Sequence, residues 1–88
     1  MRFRRVPHVR IKRVDEQYVV LDVKTEQLYG LDETGHRIWE YLKTPLTLDD
    51  LLDSLESTYN VDTEVLQDDI REFVDDLQRN GLITKTSL

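Results

Sequence analysis

The apolar positions of this chain follow two periods. Val9, Arg10, Ile11 and Lys12 alternate apolar and basic, as a half-buried strand does. Pro7 stands just before them, where a missing N–H is tolerated on a sheet edge. Asp15–Gln17 reads as a polar turn. Tyr18–Val23 is almost continuously apolar, the pattern of a central strand covered on both faces. Lys24–Glu26 turns the chain again and Gln27–Leu31 returns it. Three strands joined by short turns predict an antiparallel meander with its first and third strands at the edges.

The period then changes to that of helices. Asp32 is placed to cap a helix from Glu33 to Leu42, whose apolar side is Ile38, Trp39 and Leu42. Thr44-Pro45 ends it. Thr47 can cap the N–H of Asp50 and open a second helix, with Leu46 and Leu51 spaced as a hydrophobic staple. Leu48, Leu51, Leu52, Leu55 and Tyr59 keep one face of it. Asp62 caps a third helix, stapled by Val61 and Leu66, with a stripe of Leu66, Ile70, Phe73 and Leu77 widened by Val74. Asn80-Gly81 ends that helix and sets Leu82 against Leu77 in a Schellman arrangement.

The predicted fold is α+β: a winged-helix-like domain, with a three-stranded antiparallel sheet followed by three helices. The two later helices, joined by the tight link Ser57–Val61, form a helix-turn-helix pair. The length suits one domain over residues 1–88, with its core about residues 6–84.

The two predicted sheet edges differ. The first strand carries Pro7, Arg10, Lys12 and Arg13, all devices against edge pairing. The third, Gln27–Leu31, has neither proline nor lysine. Either a helix or the residues Leu82–Thr84 cover it, or it is left open for a partner.

Charge sharpens the picture. Residues 1–13 hold six basic side chains and no acid, whereas residues 49–76 hold eleven acids and the single base Arg71. The predicted third helix carries Glu64, Asp68, Asp69, Glu72, Asp75 and Asp76 beside the cap Asp62, against Arg71 and Arg79. A phosphate backbone needs the reverse, so nucleic acid is not the expected partner. There is no cysteine, which excludes disulfides, thiolate zinc sites and a cysteine nucleophile. A small domain without disulfides is expected in the cytoplasm. No apolar run is long enough to span a membrane, and no apolar stretch follows the basic N-terminus as a signal peptide requires.

Catalysis finds no footing. His8 and His36 lie in different elements without paired ligands and are expected as solvated surface groups. There is no phosphate-binding glycine loop, no calcium-loop spacing, and no glycine elbow at any serine. Neighbouring acids such as Asp68-Asp69 point about 100° apart on a helix. The expectation is a chain that is not an enzyme and holds neither metal nor cofactor.

Peptide binding remains. An extended peptide can add a strand to an open edge, gaining affinity from main-chain hydrogen bonds and specificity from flanking pockets. The open edge is Gln27, Leu28, Tyr29 and Gly30. The third helix, with Phe73 and Val74 widening its apolar stripe and acids along its margin, is the candidate wall of a groove beside that edge. Two alternatives stay open: a winged-helix regulator that binds nucleic acid, and a subunit whose edge pairs with a second copy.

A family resemblance rests on Leu21-Asp22, then Leu28-Tyr29-Gly30-Leu31-Asp32-Glu33-Thr34-Gly35, then Arg37-Ile38-Trp39 and Leu42. Leu48–Tyr59 and the run Asp69–Leu77 with Gly81-Leu82-Ile83 extend it. This ordered set resembles the PqqD-like proteins, the precursor-recognition elements (RREs) of ribosomally made, post-translationally modified peptides (RiPPs). The length resembles the standalone B1-type members of lasso peptide pathways. The resemblance implies a domain that binds a precursor leader peptide as an added strand on the third strand, in a cleft against the third helix. It implies Gln27, Leu28, Tyr29 and Gly30 as the pairing edge and Asp69, Glu72, Phe73 and Asp76 as the cleft wall. On that reading Leu28 and Phe73 are expected to line one apolar pocket, and Asp69, Glu72 and Asp76 to favour lysine or arginine on the leader. It also implies delivery to a separate leader protease or other modifying enzyme, with no chemistry of its own. One departure stands out: the family's hairpin usually carries glycine where this chain has Glu26, and a positive φ there strains a glutamate.

Overall fold

The computed structural model describes residues 1–86. The elements run β1 (Arg2–Arg5), β2 (Val9–Val14), β3 (Gln17–Asp22), β4 (Leu28–Leu31), α1 (Glu33–Tyr41), α2 (Leu48–Glu56), α3 (Thr63–Arg79) and β5 (Ile83–Thr86). The three-stranded antiparallel sheet has the order β2-β3-β4, and the three helices follow it. The α+β architecture expected from the sequence is therefore present.

A second, two-stranded sheet was not expected. β1 pairs antiparallel with β5, from Arg2 opposite Thr86 to Arg5 opposite Ile83. On its other side β1 exchanges backbone bonds with Leu46, the Phe3 N–H donating to the Leu46 carbonyl at 2.7 Å and the Phe3 carbonyl accepting from the Leu46 N–H at 3.0 Å. Phe3 is 7% exposed and belongs to the core, so the core starts before the boundary expected at residue 6. Arg5 ties this ribbon to the end of α1. Its guanidinium lies 4.6 Å from the Trp39 ring and donates to the Trp39 carbonyl, and its terminal nitrogen is 3.4 Å from Glu40. Burial lowers the Arg5 pKa from its ordinary value, against the pull of Glu40.

The helix ends form as their sequences dictate. The Asp32 carboxylate accepts from the Gly35 N–H at 2.6 Å. Thr47 and Asp50 make a reciprocal capping box at 3.0 and 3.1 Å, which satisfies two otherwise unpaired donors. Asp62 accepts from Glu64 and Val65. At the end of α3, Leu82 N–H donates to Leu77 carbonyl and Gly81 N–H to Gln78 carbonyl, with Gly81 at φ 73°. That is the expected Schellman closure, and its left-handed residue is the glycine.

One core joins these pieces. Val9, Val20 and Leu31 reach it from the sheet, Ile38, Trp39 and Leu42 from α1, and Leu51, Leu55, Ile70, Val74 and Leu77 from α2 and α3. All the helical contributions lie on one face of the meander. β3 is accordingly not covered on both faces: Val20 is fully buried, while Val19 and Leu21 on the outer face are only half-buried. The two histidines also depart from expectation. His36 stacks on Tyr18 at 3.6 Å between ring centroids, and His8 lies 3.7 Å from the buried Asp22. Both are part-buried and partnered rather than solvated. No helix of the described residues is long and apolar enough to cross a membrane.

Candidate peptide-binding edge and cleft

The β3–β4 hairpin sets the site. Its turn, Val23–Glu26, is closed by Asp22 N–H donating to Gln27 carbonyl at 3.0 Å and Glu26 N–H donating to Asp22 carbonyl at 2.7 Å. The Asp22 carboxylate braces the turn from inside, accepting from Lys24 N–H at 2.9 Å and Thr25 N–H at 3.2 Å. Burial alone would raise the Asp22 pKa. The two N–H donations and nearby His8 outweigh it and hold the carboxyl below the ordinary range. Glu26 adopts φ 62°, the left-handed conformation that glycine takes without strain. The register follows: Leu21 opposite Leu28, Val20 opposite Tyr29, Val19 opposite Gly30, Tyr18 opposite Leu31.

That register decides which backbone groups are free. Opposed residues in an antiparallel pair alternate between bonded and non-bonded. Asp22 and Gln27 share a bond, so the Val20–Tyr29 pair is bonded and the Leu28 and Gly30 groups point off the sheet. No strand lies beyond β4 among the described residues, and Leu82–Thr84 do not cover it, because β5 pairs with β1. The N–H and C=O of Leu28 and Gly30 thus form an open edge. At the opposite edge Arg10 guanidinium donates to the Val9 carbonyl at 2.8 Å and the Pro7 carbonyl at 3.1 Å. Val9 is one of the residues whose groups point away from β3, so that edge is partly occupied by its own side chain.

Two expected edge roles need correction. Gln27 lies before β4, and its backbone is spent on the hairpin: its carbonyl accepts from Asp22 and its N–H donates to Thr25 hydroxyl at 3.3 Å. Leu28 does not share a pocket with Phe73. It is 66% exposed and sits opposite Leu21 on the outer face, whereas Phe73 lies on the helix side.

Beside the end of β4 is a cleft of about 390 Å³ between the start of α1 and α3. The four wall residues expected from the sequence, Asp69, Glu72, Phe73 and Asp76, line it together. Ile38 and Leu66 contribute apolar surface, as do Tyr59 and Val61 from the link before α3. Gly35 is the closest approach: a Cβ there would lie 3.1 Å from two Phe73 ring carbons and 3.0 Å from the Asp32 carboxylate. A glycine in the first turn of a helix is a propensity defect in the sequence, and only the packing explains it. Sequence reasoning missed Gly35, Tyr59 and Val61 as cleft residues. The staple pairing of Val61 with Leu66 was the available signal for Val61.

Tyr29 joins edge to cleft. It lies on the opposite face of β4 from Leu28 and Gly30 and packs against the core. Burial, then the Asp76 and Asp32 carboxylates, raise its pKa. Asp76 and Phe73, one turn apart on α3, line the same cleft as Asp32, which directly follows β4. The arrangement offers free main-chain groups beside an apolar cleft with an acidic rim. It suits an extended peptide.

Comparisons with known proteins agree with this geometry. No curated protein matches the chain. Two solved structures share its fold closely. One is "TbiB1 in Complex with the TbiA(beta) Leader Peptide", with 26% identity, a TM-score of 0.83, and coverage of 97% of this chain and 99% of that one. The other is "Lasso peptide synthetase B1 complexed with the leader peptide", with 26% identity, a TM-score of 0.81, and coverage of 94% and 98%. A family model described as coenzyme PQQ synthesis protein D (PqqD) matches residues 17–83. That span holds β3, β4, the three helices and the cleft, and the chain belongs to the PqqD family.

Proposed function

We propose that this chain is a non-catalytic adaptor that binds the leader of a ribosomal precursor peptide. The leader adds as a strand to β4, beside α3, and is delivered to a separate leader peptidase or other modifying enzyme, in lasso peptide biosynthesis. The observation that carries the proposal is the unpaired Leu28–Gly30 edge bordering the Phe73 cleft. Main-chain pairing supplies affinity at such an edge, and the cleft supplies selection. Both fold neighbours are complexes with leader peptides. The acidic surface of α3 opposes the alternative reading as a nucleic-acid binder.

The test is amide NMR during titration with a lasso-type leader peptide. The Leu28 and Gly30 amides are expected to shift and to gain protection from exchange. Leu28→Pro removes a donor that points off the sheet and should abolish binding while the remaining spectrum stays folded. Undiminished binding by that folded variant sinks strand addition at β4.

A further inference from the structure

We propose that the chain has a second binding site, on another flank of α3, which takes an acidic, extended segment of a protein partner. The site is a cavity of about 480 Å³ bordered by the β1–β5 ribbon, α2 and α3. On α3 its wall is Gln67, Ile70 and Arg71, whereas the cleft beside β4 uses Asp69, Glu72, Phe73 and Asp76. At about 100° per residue these sets lie on different flanks of the helix, and Ile70 alone borders both cavities. The proposal does not depend on strand addition at β4.

Phe3, Leu48, Leu52 and Ile70 supply apolar surface. Two cations stand beside it. Arg71 is the single base among residues 49–76, against eleven acids, and it borders this cavity. Lys85 borders it from β5, with its ammonium 5.9 Å from the centre of the Phe3 ring. Both residues are exposed, and neither has an ion-pair partner among the described residues. The ribbon adds Arg2 and Arg4, and its strands carry no acid. Asp49 is the one acid on the wall, and it sits in the first turn of α2, where a carboxylate complements the helix dipole. An incoming carboxylate thus finds two free cations beside apolar surface.

Main-chain geometry favours a peptide over a free amphiphilic anion. Phe3 exchanges both of its backbone bonds with Leu46, so its N–H and C=O point away from β5. Lys85 stands opposite Phe3, so the Lys85 N–H and C=O point away from β1. They have no backbone partner among the described residues. Ile83 has the same orientation but is buried, so this edge offers the pair of bonds of one residue. A peptide residue bonded to Lys85 shares the face of the Lys85 side chain and the Phe3 ring. Aspartate or glutamate there gains a cross-strand ion pair.

The test is a display selection of random peptides on the full chain at low salt, followed by amide NMR of the complexes. One class of recovered peptides is expected to join Asp or Glu to Leu or Ile, and to move the Gln67, Arg71 and Lys85 amides without moving Leu28 and Gly30. Replacing the peptide's acid by its amide should weaken binding about tenfold at low salt and about twofold at high salt. The Arg71→Gln/Lys85→Gln double variant changes two exposed side chains, keeps its fold, and should lose the same tenfold. The inference falls if no recovered peptide moves the Gln67, Arg71 and Lys85 amides. It falls equally if those that do lack an acid or bind the double variant as tightly as the wild type. Decanoate moving these amides where no peptide does would assign the cavity to a free amphiphilic anion and overturn the peptide reading.

Discussion

Glu26→Gly should stabilise the protein while leaving its ligand preference intact. Glu26 is held at φ 62° by two main-chain bonds across the hairpin mouth and by the Asp22 carboxylate. A left-handed conformation costs a residue with a Cβ roughly 1–2 kcal/mol. Glycine removes that cost but loses more backbone freedom on folding, about 0.5–1 kcal/mol. The difference leaves a gain of about 0.5–1 kcal/mol. For a domain of this size, each kcal/mol raises the melting temperature by roughly 4–8 °C. Urea unfolding followed by circular dichroism measures the gain, with an unchanged slope showing that the surface exposed on unfolding is unaltered. Asp15 is the control. It also has positive φ, 58°, in the β2–β3 turn, but aspartate tolerates that conformation better, so Asp15→Gly should gain less. Equal gains at both positions, or none at Glu26, would refute the reasoning. Because the turn and register do not change, leader affinity should stay within about twofold.

Three other outcomes follow from the same geometry. Asp22 has a lowered carboxyl pKa when folded, so its stabilisation is present above the ordinary carboxylate range and is lost as pH falls through the lowered value. Urea midpoints of the wild type should therefore drop below about pH 4, and Asp22→Asn should flatten that drop. Gly35→Ala gains up to about 1 kcal/mol of helix propensity but drives a methyl against Phe73, so stability should change little while leader affinity falls about tenfold. An unaffected affinity in a calorimetric titration would remove Gly35 from the cleft. Tyr29 should ionise above the ordinary tyrosine range in an ultraviolet titration, identified by difference from Tyr29→Phe. Asp76→Asn should lower it part of the way, since burial is the larger cause, and no movement would separate Asp76 from Tyr29.

Much of this architecture is written locally. Thr47 with Asp50, Asp62 ahead of α3, and Asn80-Gly81 behind it are short-range signals, and each formed as read. The β1–β5 ribbon is the contrary case. Arg2–Arg5 offers a single apolar residue, Phe3, and its partner lies at the far end of the chain, so no local pattern marks the pairing. The Leu28–Phe73 pocket failed for a reason the sequence did contain. Leu28 and Leu31 are an odd number of residues apart on one strand and must face opposite sides. With Leu31 in the core, Leu28 has to point outward. The role of Gly35 was not legible, because it depends on how closely an aromatic ring from α3 approaches α1.

The unequal edges of the sheet bear on how this protein can assemble. At one edge Arg10 occupies the outward carbonyl of Val9, while at the other Leu28 and Gly30 are open. A sheet with one open edge and one partly blocked edge favours growth from the open side. It takes up a strand there most readily, and that strand does nothing to clear Arg10 from the other side. Two copies meeting through β4 would close into a pair and stop. Head-to-tail stacking, the route by which open edges become fibres, requires two receptive sides. The guanidinium at Val9 thus works against chain growth: it helps the protein keep one adhesive strand exposed without becoming a monomer unit of a polymer.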